Sequence, residues 1–562
     1  MFDYTTLSQL KYGYRNQKEL NDMLTGKDLL NNPLLNKGTA FSAQERADYK
    51  LNGLLPTAIQ TLDEQVAATY AQLETYTTRY EQNKFLMSVY NTNRVLYYAI
   101  VGSHIKELLP VIYTPTIADA VRGFSDDFVR PNDAVFLDVN HPETIADVLK
   151  EASKDMPQVD MLVITDGEGV LGIGDWGIQG VMISVGKLAV YTVAAGIHPD
   201  HVLPIVIDNG TDRQELLDNP NYVGNRQNRK TGQEYWDYID QFVETAKGLF
   251  PDVLFHWEDF GRANASVILE KYKNEITTFN DDIQGTGVMM AASMNAVANA
   301  SNKPVTEQTY VVFGGGTAGI GVSDQIRNEM MRQGMTEAEA MKRFFIVDRY
   351  GLVIEGQENL TEGQTRYARP ADEFSTPMAT LTDVVKAVKP SVLIGTSGQA
   401  NTFTQEIVEI MSANTERPAI MPISNPTELQ EGKADDIIKW SKGNALVVTG
   451  SPSDPVEFEG TTYYIGQANN SLLYPGLGAG IVVSKASTVT DAMLSAAAHG
   501  IADIQDLSEK GASLLPPVET APQASKYVAM AVVKAAIDDK VNRVDIADVE
   551  AAVDASIWKA EY

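Results

Sequence analysis

Apolar positions recur at threes and fours from about residue 43 to residue 110, through LLPTAIQTLDEQVAATYAQLETY and FLMSVYNTNRVLYYAIVGSHIKELL, and this spacing predicts helices. Pro56, near the start of the first run, suits a helix N-terminus. From about residue 131 the texture changes. Short apolar runs, MLVIT (161–165), LPIVID (203–208) and VLFHW (253–257), alternate with helical stretches such as YWDYIDQFVETAKGLF. That alternation predicts buried parallel strands joined by crossover helices. A second series follows a long apolar helix at about 282–300: YVVF (310–313), FFIV (344–347), SVLIG (391–395), AIMPIS (419–424) and ALVVTG (445–450). Most are followed by a loop and a helical pattern, the rhythm of a doubly wound sheet. The predicted class is α/β, with two doubly wound, Rossmann-like parallel-sheet domains. A helical N-terminal domain spans 1–125, a first α/β domain 126–281 and a second 282–469. A C-terminal segment, 470–562, is expected to return to the first α/β domain and to end in helices.

A chain of 562 residues is too long for one ordinary core, in keeping with several domains. The formal charge of −29 repels nucleic acid and anionic membrane and leaves small molecules, metals or other subunits as partners. There is no cysteine, so disulfides, thiolate zinc sites and cysteine nucleophiles are excluded. The six histidines are scattered and include no HExxH. A metal site must then be built mainly of oxygen atoms, which favours hard cations such as Mg²⁺ or Mn²⁺. The N-terminus is polar and no run approaches the ~20 apolar residues of a membrane span, so the expected location is the cytoplasm.

The pattern GxGxxG occurs twice. Gly172-Ile-Gly174-Asp-Trp-Gly177 lies several residues beyond its strand and reads as turn chemistry. Gly314-Gly-Gly316-Thr317-Ala318-Gly319 follows YVVF directly and opens a helical run, as a pyrophosphate cradle requires. Gly314 makes the tight turn, Gly316 lets backbone approach the phosphates and Gly319 lets helix and strand pack closely. Asp348 closes the next strand, where a carboxylate accepts from the adenosine ribose and disfavours a 2′-phosphate. NAD is therefore the expected cofactor, although Arg349 beside it works against that preference. Val185-Gly186-Lys187-Leu188 is not a phosphate-binding P-loop, because residue 181 is valine and Leu188 has no hydroxyl.

Two acidic pairs stand out. Glu258-Asp259 ends the strand VLFHW, and Asp281-Asp282 precedes the apolar helix. Singly, such acids have a plain explanation as turn residues or helix caps. The alternative is that strand end and helix start converge at one crevice, where mutual repulsion would call for a divalent cation.

The blocks LLNKGTAFS (34–42), PVIYTPT (110–116), VLGIGDWG (170–177), VGKLAVYT (185–192), HWEDFGR (256–262), FNDDIQGT (279–286), SNPT (424–427) and GQANN (466–470) resemble the malic enzyme family. The likeness runs from about residue 30 to the C-terminus. It implies an enzyme that oxidises and decarboxylates L-malate with NAD and Mn²⁺ or Mg²⁺, in a homodimer or homotetramer. By position, the resemblance makes Glu258, Asp259 and Asp282 metal ligands, with Tyr113 the general acid and Lys187 the general base beside Asp281. Asn425, Asn469 and Asn470 would bind substrate and the nicotinamide end of the cofactor.

Two departures bear on the product. Family members that release pyruvate and NADH typically carry an arginine where Gly169 stands, and many carry a smaller or non-aromatic residue where Trp176 stands. Both features are similar to the malolactic members of the family, which return the hydride to C2 and give L-lactate. The expected product is therefore L-lactate, with NAD-linked release of pyruvate as the alternative. Losing that arginine leaves Arg262 or the asparagine amides to partner the C1 carboxylate. A non-catalytic nucleotide-binding relative would show decay of the acid, base and ligand set, which is complete here. A simple 2-hydroxyacid dehydrogenase would not need the acidic cluster.

Overall fold

The computed structural model describes residues 24–170, 172–425 and 427–562. The N-terminal stretch 1–23, whose role the sequence left open, lies outside them, as do Leu171 of VLGIGDWG and Pro426 of SNPT. The chain divides into two compact units. One holds the residues through Asp282 together with Gly478–Val489 and Ala536–Tyr562; the other holds Ile283–Leu477 and Thr490–Ala535.

In the first unit, the early periodic stretch is broken into α1 (Leu62–Leu73), α2 (Arg79–Thr92), α3 (Arg94–Ser103) and α4 (Ile105–Ile112). Capping sets the breaks: Thr61 with Glu64 and Thr78 with Glu81 form reciprocal boxes, and Asn93 caps the backbone of Leu96. A five-stranded parallel sheet follows, comprising β1 (Val135–Asp138), β2 (Met161–Thr165), β3 (Val202–Asp208), β4 (Leu254–Trp257) and β5 (Thr278–Asn280). Its order is β1-β3-β2-β4-β5. β1 and β5 were not expected from the sequence. VFLD and TFN are too short to stand out as periodic runs.

α5 (Val181–Ala195) packs on β2, β3, α3 and α4. Gly186 permits this approach, since a Cβ there would lie 3.1 Å from the Ile112 carbonyl oxygen. The helices and the sheet therefore lie within one compact unit. The stretch Gly177–Ala195 also corrects the expectation that no run is long and apolar enough for a membrane span. By length and composition it qualifies, but it is buried as the core helix of this unit.

The second unit is built on a seven-stranded sheet. Its strands are β6 (Tyr310–Phe313), β7 (Phe344–Asp348), β8 (Gly351–Leu352), β9 (Val392–Gly395), β10 (Ala419–Pro422) and β11 (Leu446–Thr449), with β14 (Gly466–Gln467) beyond the hairpin β12 (Val456–Phe458) and β13 (Thr461–Tyr463). The order is β14-β11-β10-β9-β6-β7-β8, all parallel except β8. The order therefore reverses between β6 and β9, where doubly wound sheets bind ligands.

The C-terminal stretch is divided between the two units. Thr490–Ala535 belongs to this second unit, and only the segments around it belong to the first. Packing gives the reason: α6 (Thr286–Ser301) and α8 (Asp491–Ala502) lie against each other, and both are rich in alanine, serine and other small residues that allow close approach. Between them in sequence, α7 (Thr317–Arg332) follows β6.

Candidate active site

β4 and β5 are neighbours in register, with Trp257 opposite Asn280. The residues that follow, Glu258-Asp259 and Asp281-Asp282, therefore leave the sheet side by side. Ligand oxygens of Glu258, Asp259 and Asp282 all lie within 4.8 Å of one another, and no other such group occurs among the described residues. The backbone is bent to achieve this. Asp259 has φ +55°, a left-handed conformation that costs a non-glycine residue about 1 kcal/mol or more. Its N–H donates to Asp282 Oδ2 at 2.8 Å. Asp281–Gly285 then forms one turn of wide, π-type helix before α6, a distortion common at functional sites.

Lys187 projects from apolar α5 and is 1% exposed. Its Nζ lies 2.7 Å from Asp281 Oδ2 and 2.7 Å from Glu258 Oε1, and 5.2 Å from the centre of the Tyr113 ring. Tyr113 ends α4 and is buried. Burial raises its hydroxyl well above the usual phenol range, with Lys187 opposing the shift. Three carboxylates, Glu258, Asp281 and Asp282, thus crowd around one lysine, with Glu258 and Asp281 in direct contact with it. Burial, opposed by Lys187 and reinforced by Asp281, raises the Glu258 carboxyl. Asp282 is raised by burial and then by the charges of Glu258 and Asp281; its exposed edge lets solvent screen part of this.

Alternation along β4 puts His256 on the same face as Glu258. His256 Nε2 is 3.0 Å from Glu258 Oε2, and its Nδ1 is 2.8 Å from the Tyr191 hydroxyl. Burial, then the Lys187 charge, push His256 down to about 3. The ring is neutral, so one of its nitrogens donates and the other accepts, bridging Glu258 and the Tyr191 hydroxyl. Such outer partners orient a ligand. Sequence reading missed them, because His256 and Tyr191 lie on different elements and only β-strand alternation hints at the first.

The loop after β2 closes on the acidic pair. The Gly169 N–H donates to the Asp259 carbonyl at 2.9 Å, and a Cβ at Gly169 would sit 2.8 Å from the Phe260 carbonyl oxygen. No side chain fits at position 169 while this loop keeps its place. Arg229 anchors the far end: Nε and Nη2 reach Asp175 at 3.0 and 2.7 Å, and Nη2 donates to the Asp166 carbonyl at 2.9 Å. Trp176 donates from Nε1 to the Ile173 carbonyl and stacks under the Arg213 guanidinium, 4.0 Å from the ring centre. Arg262 opens the helix Arg262–Tyr272 and is exposed.

In the second unit, Gly314 has φ +114°, and a Cβ there would meet the Thr396 carbonyl carbon at 2.6 Å. Nothing lies within 4 Å of a Cβ at Gly316, so that face of the turn is open. At Gly319 a Cβ would strike the Gly314 carbonyl oxygen at 2.0 Å. Thr317 and Ala318 begin α7 between these glycines, and the helix N-terminus faces the turn. Asp348 ends β7 and accepts from Gln364 Nε2, which also donates to the Gly315 carbonyl at 3.0 Å. Gln364, remote in sequence, was not expected. Asn425 Oδ1 accepts from Ser451 Oγ at 2.6 Å, Asn469 caps the Ser471 backbone, and Asn470 donates to Thr286 Oγ1 at 3.1 Å. The structure thus gathers Tyr113, Lys187, Glu258, Asp259, Asp281 and Asp282 in one unit. The glycine turn, Asp348 and the three asparagines belong to the other.

Comparison with known proteins adds to this geometry. Residues 90–273 match the family model "Malic enzyme, N-terminal domain", and residues 283–537 match "Malic enzyme, NAD binding domain". The chain is 48% identical to the malolactic enzyme of Lactiplantibacillus plantarum over 540 residues, covering 96% of this chain and 98% of that one. It is 42% identical to NAD-dependent malic enzyme 3 of Bacillus subtilis, covering 97% and 98%. The crystal structure of Entamoeba histolytica malic enzyme shares the fold, with a TM-score of 0.53 at 19% identity over 91% of this chain and 90% of that one.

Proposed function

Because this chain belongs to the malic enzyme family, we propose that it oxidises L-malate at C2 with NAD, releases C4 as CO₂ and returns the hydride to C2 to form L-lactate. The observation that carries the reading is the meeting of three carboxylates within 4.8 Å beside a buried lysine and tyrosine. This donor set fits a hard divalent cation, being all oxygen and short of positive charge. Glu258, Asp259 and Asp282 would hold Mn²⁺ or Mg²⁺, and the Gly314–Gly319 turn with Asp348 would hold NAD. When bound, these groups supply Lewis acidity at the C2 oxygen and the hydride acceptor.

The order of chemistry follows from malate itself. C4 leaves only when C2 is a carbonyl able to take the electron pair, so oxidation precedes decarboxylation. Lys187 takes the proton of the C2 hydroxyl, with Asp281 and Glu258, each 2.7 Å from Nζ, fixing the ammonium that results. Tyr113, whose raised phenol keeps its proton, delivers one to C3 after CO₂ departs. For the final reduction, Lys187 gives its proton back to the C2 oxygen.

Support for L-lactate as product comes from the likeness to malolactic enzymes and from Gly169, packed where no side chain fits. The second reading, release of pyruvate and NADH, is favoured by the similarity to NAD-dependent malic enzymes. Both readings require the metal. Metal-free protein given L-malate and NAD is expected to release no CO₂ until Mn²⁺ is added, and excess chelator should stop release again. Full activity without any divalent cation would overturn both.

A further inference from the structure

Glu431 is fully buried at the C-terminal ends of the second unit's strands, in the connection between β10 and the helix Ala434–Trp440. Its Oε1 accepts from the Ser397 N–H at 2.7 Å, the Ser397 hydroxyl at 2.9 Å, the Gly398 N–H at 3.1 Å and the Ser424 hydroxyl at 2.6 Å. Oε2 is buried without a hydrogen-bond partner and lies against Gly395, where a Cβ would come within 2.6 Å of it. Among the described residues no lysine, arginine or histidine pairs with this side chain. A buried charge balanced only by dipoles is costly, and an amide of the same shape would accept some of the same bonds without that cost. The charge itself therefore calls for an explanation.

Its place in the sheet supplies one. Asp348, at the end of β7, marks the adenosine side of the Gly314 turn. The nicotinamide half then falls on the other side of the β6/β9 reversal, over the ends of β9 and β10. Thr396 ties the two regions together by donating to the Gly314 carbonyl at 2.9 Å, and Ser424 precedes Asn425. The oxidised nicotinamide ring carries a positive charge and the reduced ring carries none.

We propose that Glu431 is a positioning residue that holds the 396–398 and 424–425 loops around the nicotinamide, and that its uncompensated charge favours the oxidised ring. This rests on the dinucleotide reading of the glycine turn. Its consequence bears on the product. In the proposed reaction, once CO₂ has left, C2 of pyruvate would gain a hydride from reduced dinucleotide and its carbonyl oxygen a proton, giving lactate and oxidised dinucleotide. A site that disfavours the reduced ring pulls toward that step.

The test is equilibrium binding of NAD⁺, NADH and AMP to the full chain, by fluorescence or calorimetry, for wild type and Glu431→Gln. Wild type should bind NAD⁺ more tightly than NADH. Glu431→Gln is expected to shift the NAD⁺/NADH affinity ratio toward NADH by about tenfold, with AMP affinity unchanged. Glu431→Asp, which keeps the charge, should keep the preference. An unchanged ratio in Glu431→Gln, or a wild type that favours NADH, overturns the proposal; the second readout needs no variant to fold. Wild type that binds none of the three overturns the dinucleotide reading itself.

Discussion

Replacing Lys187 by methionine is expected to lower the turnover of L-malate by about 10³-fold, the scale of a lost general acid–base group. The same substitution should lower the thermal stability of metal-free protein. Nζ is 2.7 Å from both Glu258 and Asp281 in a site that is almost fully enclosed, and removing one partner of a buried ion pair costs about 3–5 kcal/mol. Mn²⁺ should restore much of that stability, because it supplies positive charge to the same carboxylates, but it should not restore turnover. Steady-state kinetics and melting curves with and without Mn²⁺ check both halves. A lysine that only balanced charge would allow Mn²⁺ to rescue activity as well as stability.

The second large effect is on metal affinity. Burial and crowding push Glu258 up to about 7 and Asp282 up to about 8, against ordinary values of 4.5 and 3.8. Metal ligands must be deprotonated, so binding of Mn²⁺ should release protons near neutrality, and affinity should fall by about tenfold per pH unit for each proton displaced, approaching about a hundredfold per unit once both carboxyls are protonated below pH 7. Stability of the metal-free protein runs the other way. A carboxyl whose folded pKa is raised contributes stability below its unfolded value and loses it as pH rises through the folded value. Melting temperature without metal should therefore decline between about pH 5 and pH 8, and saturating Mn²⁺ should flatten the decline. Calorimetry in two buffers of different ionisation enthalpy measures the protons released; no release at pH 7 would contradict the crowding described here.

Much of this was legible in the residues because local signals and chemistry coincided. The run YVVF followed at once by Gly314-Gly-Gly316 can be read as strand, turn and helix without any long-range information. The strands MLVIT and LPIVID stand out because both faces are buried, so every position but the last of each is apolar. Other features depend on register. Nothing in VLFHWED or TFNDD says that their strands are neighbours ending in step, and TFN is too short to be seen as a strand. Polar side chains that act through burial were hidden as well. His256 looks like any strand residue until Tyr191 and Glu258 are found on either side of it, and Glu431 looks like a surface acid in a polar loop. Gly169 was visible as a departure, but only its contact with the Phe260 carbonyl explains why an arginine does not fit there. The division of 470–562 turned on helix packing by small residues, which carries little periodic signal.

The proposed reaction returns to C2 the hydride removed from it. The direct measurement incubates purified protein with L-malate, Mn²⁺ and NAD⁺ well below the malate concentration, following lactate, CO₂, pyruvate and NADH absorbance together. Lactate and CO₂ should each equal the malate consumed, over many turnovers per NAD⁺, with no accumulating NADH. Pyruvate and NADH formed in equal amounts, stopping when NAD⁺ is exhausted, would contradict it.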